Sequence, residues 1–210
     1  MRSVKHICSE KADGVLISAT PRCQSVAAYS LNGMLTYMSF HGNLQEQIGR
    51  LAAQRRIALL PPLLSSSPML RELFVSADVW DGANPPWPRH RTGLRHIEFR
   101  AALDHFTQGY TINVAEDPFT KPRHAFMARV HPVQRQVWDI RCLGPDQGIR
   151  CFGCFAGKDR FVAITWDFRE NITFESADSE CREAWDALFS PLQPLTGTSL
   201  DEYLSNYVAV

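Results

Sequence analysis

Three short apolar runs separated by tight turns constrain this chain more than any other feature. Val137–Cys142, Gly148–Phe155 and Phe161–Phe168 follow one another with only Gly144-Pro145-Asp146-Gln147 and Gly157-Lys158-Asp159 between them. Runs rich in β-branched and aromatic residues, bounded by Gly, Pro and Asp, read as strands. A parallel pair needs a long crossover, so connections this short make the three an antiparallel meander. Helical spacing flanks them. Phe99, Ala102, Leu103 and Phe106 form one apolar stripe and predict a helix over 94–107, which Gly109 stops. Cys181, Ala184, Trp185 and Leu188 predict a second over 176–190, and Thr198–Asn206 a short third. Residues 116–135, broken by Pro118, Pro122 and Pro132, read as irregular.

Upstream the signals thin out. Asp78–Thr92 holds Gly82 and three prolines with no periodicity, which is how a linker reads. Before it, Asn43-Leu-Gln-Glu46 is a capping box and predicts a helix over about 44–59. Ser67-Pro68 resembles an N-cap and first helical position, opening a short helix that carries Leu70, Leu73 and Phe74. The expected organisation is therefore a helical or poorly ordered extension over 1–92 and an α+β domain over 93–210. That domain is expected to be an antiparallel meander of three to four strands with helices packed on one face.

Lys+Arg and Asp+Glu number 22 each, which excludes a uniformly basic protein. The zero sum hides segregation: residues 121–170 carry 9 basic and 5 acidic side chains, residues 171–210 carry 1 and 7. No apolar run reaches membrane-spanning length, and no export signal precedes the domain, so a cytoplasmic protein with reduced thiols at Cys8, Cys23, Cys142, Cys151, Cys154 and Cys181 is expected. Cys151 and Cys154 have CxxC spacing, but mid-strand their thiols point to opposite faces, so no metal site is read there. No cofactor-binding motif is present.

Strand alternation gives the chemistry. Trp138, Ile140 and Cys142 fall on one face with Ile149, Cys151, Gly153 and Phe155, and in the last strand with Val162, Ile164, Trp166 and Phe168. Arg141, Arg150 and Arg169, one from each strand, fall on the other with Phe152. Guanidinium forks match phosphate, and an aromatic face stacks a base. Asp139 and Asp167 share that face, and cross-strand Arg–Asp pairs that merely solvate it are the alternative reading.

Trp138-Asp-Ile-Arg141, then Gly148-Ile-Arg-Cys-Phe152, then Phe161 to Arg169 resembles the sheet of RelE/HigB-type toxins over about residues 135–172. The resemblance implies a metal-independent mRNA endonuclease or a relic of one, with RNA or the ribosome and a small antitoxin-like protein as partners. DNA and membranes are not expected partners. It assigns phosphate stabilisation to Arg150 and RNA contact to Arg141, Phe152 and Arg169. Proton transfer would fall to His124 or His131, which flank the irregular stretch before the sheet. The alternative is a non-catalytic interaction domain whose arginine face docks an acidic partner.

Overall fold

The computed structural model describes residues 43–89, 91–144 and 148–210. Cys8, Cys23 and everything read from residues 1–42 lie outside the described residues, as does the centre of the turn at 145–147.

Asn43 Oδ1 accepts from the Gln45 amide at 3.0 Å and opens helix α1, Leu44–Ala53. The helix ends sooner than its apolar spacing predicts. Arg55 turns the chain at φ 58°, and Ile57–Leu59 form strand β1 against β2, Glu72–Ser76. The helix expected after Ser67-Pro68 is likewise replaced by β2. Leu73 and Val75 enter one core while Phe74 enters another, a period of two rather than 3.6. Pro61-Pro62 bars the helix from continuing past Leu60, and hydrogen bonds with a distant strand favour the extended form.

The stretch read as a linker folds as well. Ser76 Oγ accepts from the Val79 amide at 3.2 Å and caps α2, Ala77–Ala83. Helix α3, Arg91–Thr107, follows, and Gly109 ends the turn after it with φ 72°. The described residues from 43 to 210 belong to one compact unit, so the 78–92 segment runs within it.

The remaining strands are β3 (Ile112–Ala115), β4 (Met127–Arg129), β5 (Trp138–Arg141), β6 (Ile149–Gly157), β7 (Arg160–Phe168) and β8 (Tyr207–Ala209), with α4 (Phe174–Phe189) between the last two. They form one eight-stranded sheet in the order β1-β2-β7-β6-β5-β4-β3-β8. The β5–β6–β7 meander is antiparallel, as its short turns require. The expected three- to four-stranded antiparallel sheet is nevertheless incorrect. β2 joins β7 in parallel, and β3 pairs in parallel with both β4 and β8. Those partners are distant in sequence, so no turn signal announces them.

Helices on one face only is also corrected. Helices α2 and α3 cover Leu73, Trp138, Ile140, Cys151 and Phe155 on one side. Helices α1 and α4 cover Phe74, Phe152, Cys154, Val162 and Ile164 on the other. The register explains the second core. Gly153 pairs with Ala163 while Phe152 pairs with Thr165, so Ile164 is an extra residue in β7. This bulge breaks the two-residue alternation. Trp166 and Phe168 pack with the first core and Val162 and Ile164 with the second, although strict alternation assigned all four to one face.

Arg71 ties three parts together from a fully buried position. Its guanidinium donates to the carbonyls of Tyr110 and Asn206 at 3.0 Å, to Ser205 O, and pairs with Asp159. On the opposite side Trp185 stacks on Phe189 at 4.3 Å and donates from Nε1 to Leu192 O at 3.0 Å. Trp185→Phe, which keeps a ring but loses that bond and part of the volume, is expected to cost about 1–2 kcal/mol in urea unfolding. An unchanged midpoint would mean that α4 does not seal the second core.

Candidate functional site

The register of β5, β6 and β7 puts Arg141, Arg150 and Asp167 side by side in one row. The next row up the same face is Asp139, Phe152 and Thr165. Three antiparallel strands with matched alternation therefore gather polar side chains at one end of a face whose other end is apolar core. The segment between β3 and β4 adds Lys121, and the turn Arg169–Asn171 after β7 adds Arg169. The first turn of α4 adds Phe174; its N-cap residue Thr173 makes no side-chain capping bond.

Arg150 is the centre of this cluster. It is 8% exposed and its Nε lies 3.5 Å from Asp139 Oδ2, close enough for an ion pair. Nε and Asp139 Oδ1 are both buried without a hydrogen-bond partner among the described residues, and so is Thr165 Oγ1. Burial pulls the Arg150 guanidinium down to about 10; Asp139 opposes the shift and the neighbouring Arg141 and Arg169 add to it. Burial likewise raises the Asp139 carboxyl, against the pull of Arg150, Lys121 and Arg141.

Of the other cations, Arg141 is engaged in the fold and Lys121 and Arg169 are not. Arg141 donates to Pro122 O at 2.8 Å, which pins the 116–126 segment over the sheet end. Arg169 lies 4.8 Å over the Phe174 ring and Lys121 Nζ lies 5.7 Å from the same ring. Neither side chain has a hydrogen bond or ion pair among the described residues. Burial lowers the Lys121 amine, with Arg141 and Arg150 adding to the effect and Asp139 opposing it. The nearest carboxylates are engaged elsewhere. Both oxygens of Glu170 bind Arg95, at 2.6 and 2.7 Å. Asp167 Oδ1 accepts from Phe168 N and Asn171 Nδ2 at 2.6 and 2.9 Å. Four cations thus face two carboxylates, Asp139 and Asp167, in half-buried surroundings where charges are poorly screened.

Of the residues assigned RNA or phosphate roles, Arg141, Arg150 and Arg169 do come together. Phe152 is beside them but is 1% exposed, with its ring edge-on to Phe174 at 6.3 Å, so it offers no open face for a base. The histidines are both exposed. His124 is exposed in the segment before β4, and His131 is exposed with its ring 4.8 Å from Phe119. Neither hydrogen-bonds to the arginines among the described residues. Cys151 and Cys154 enter opposite cores, and no group of three His, Cys, Asp or Glu side chains suited to a metal occurs among the described residues. Lys121 and Phe174 were not read as site residues. Lys121 sits in a proline-broken stretch with no period, and hydrogen bonds from that segment to Arg141 and Asn113 bring it to the sheet.

No described helix is long and apolar enough to cross a membrane. Comparison with protein-family models, with curated proteins and with solved structures found no match to this chain.

Proposed function

We propose that this protein is a binding module for an anionic ligand, which it engages through Lys121, Arg141, Arg150 and Arg169. One observation carries the reading: half-buried cations outnumber their carboxylates, and two of them, Lys121 and Arg169, have no acceptor among the described residues. Holding like charges together costs free energy that an arriving anion recovers. Endonuclease chemistry of the RelE/HigB kind would also need a base and an acid beside the arginines. Neither His124 nor His131 hydrogen-bonds to the arginines among the described residues, so binding is better supported than cleavage.

A panel of anions at constant ionic strength, compared with chloride by thermal unfolding, tests this reading. The expected result is a rise in Tm with multivalent anions that disappears in Lys121→Met/Arg169→Gln, since ligands that favour the native state stabilise it by mass action. Equal shifts in the wild type and the double variant would locate binding elsewhere, and no shift with any anion would end the proposal. Incubation with single-stranded RNA runs alongside. Shortening of the RNA that is lost in Lys121→Met/Arg169→Gln, which keeps the Arg150–Asp139 pair, would restore the endonuclease reading in place of this one.

A further inference from the structure

Resting on that reading, we infer that the group held at the β5–β7 end is a phosphate monoester or free phosphate, a tetrahedral dianion, rather than a carboxylate or a nucleic-acid diester. The charge count is the first argument. Among the buried and half-buried groups, Lys121, Arg141, Arg150 and Arg169 against Asp139 and Asp167 leave an excess of two positive charges, and Asp117, exposed at the rim beside Lys121, is screened by solvent. A phosphate monoester carries about −1.5 to −2 at pH 7 and neutralises that excess; a diester or a carboxylate carries one charge and leaves half of it.

The donor set is the second argument. It comes from four separate elements: the 116–126 segment (Lys121), β5 (Arg141), β6 (Arg150) and the turn after β7 (Arg169). Converging donors of this kind suit an anion with three terminal oxygens, and guanidinium forks bind such oxygens in pairs. Arg150 has its Nη groups free of hydrogen bonds to described residues, since its pairing with Asp139 is through Nε. Thr165 Oγ1, buried and unpartnered one row away, is a further neutral donor.

The inference has a pH signature. A monoester loses its second charge through a pKa of about 6. The groups facing it are Lys121 from the 116–126 segment, Asp139 and Arg141 from β5, Arg150 from β6, Asp167 from β7 and Arg169 from the following turn, with Asp117 exposed at the rim beside Lys121. Acidification can only add protons to the protein's side of the site, which would strengthen anion binding. Weakening toward acid pH therefore reports the ligand.

Calorimetric titration of the full chain with methyl phosphate, inorganic phosphate, sulfate, dimethyl phosphate and acetate separates the cases. At pH 7.5 methyl phosphate or inorganic phosphate should bind about tenfold or more tightly than dimethyl phosphate and acetate, and whichever of the two is tighter identifies an ester or the free ion as the source. Between pH 7.5 and 5.0 methyl phosphate should weaken about tenfold while sulfate, dianionic throughout, changes little. Lys121→Met should cost about tenfold in phosphate affinity without lowering the unfolding midpoint, because it removes repulsion with Arg141 and Arg150. Equal affinities for methyl phosphate, dimethyl phosphate and acetate, all lost in Lys121→Met, would overturn the dianion inference and leave anion binding intact. No binding by any of the five would overturn both.

Discussion

A chain beginning at Thr92 will not unfold cooperatively, and its far-UV signal will decay without a sigmoidal transition in urea. The truncation removes β2, whose Leu73, Phe74 and Val75 pair with Phe161, Val162 and Ala163 in β7. β7 would then become a long edge, rich in apolar residues and open to pairing with other chains. Both cores lose a wall at once: Leu73, Val75 and Val79 on one side, Ile48, Leu51, Ile57 and Phe74 on the other. The carbonyls of Tyr110, Ser205 and Asn206 lose the Arg71 guanidinium that satisfies them. Each large apolar side chain is worth about 1.5–3 kcal/mol when buried, and a domain of this size has only about 5–15 kcal/mol in hand. A chain beginning at Asn43 keeps every described element and is the matched control. A clean two-state transition in the shorter chain, with the control's dependence on urea, would show that β1, β2, α1 and α2 are accessories.

Arg150→Ala is expected to lower stability by about 3–5 kcal/mol at neutral pH, because it leaves the Asp139 carboxylate buried at 1% exposure without its ion-pair partner. The pH dependence identifies the cause. Burial already raises the Asp139 carboxyl above its ordinary range, and loss of Arg150, its strongest opposing charge, raises it further. Between the unfolded value and that raised value the native state holds a proton that the unfolded chain has released. Stability therefore falls as pH rises through this window and is recovered as pH falls. The deficit of the variant relative to the wild type should shrink on acidification. Replacing both partners, as in Asp139→Leu/Arg150→Met, should restore most of the loss, since an apolar pair of similar volume needs no desolvation. A loss below about 1 kcal/mol, or one that grows toward acid pH, would mean that Asp139 is hydrated and the sheet end is open to water.

Much of this architecture is legible in the residues themselves because the physics behind it is local. Turns of three and four residues can only join antiparallel neighbours, so the β5–β6–β7 meander follows from chain connectivity alone. The stripes on α3 and α4 and the cap at Asn43 follow from the helical repeat and from the unpaired amides of a first turn. The row of arginines follows from alternation in β5 and β6, and it reaches Arg169 because Asp167 aligns with Arg150.

What lies beyond those limits depends on partners far along the chain. Residues 72–76 fit a helix by their apolar residues, yet four residues of β7, 88 positions away, pair with them and make them a strand. The bulge at Ile164 shifts the faces of β7 by one residue, and no residue type in that run announces it. It gives the sheet a second apolar face, which α1 and α4 then cover. That covering turns an exposed arginine face into a half-buried cluster, brings Phe174 beneath Arg169 and Lys121, and closes Phe152 to stacking. The sequence alone determined which charges share a sheet end, because alternation is a property of the strand. Only the tertiary structure decided how far those charges are removed from water, because burial depends on elements the strand never meets in sequence.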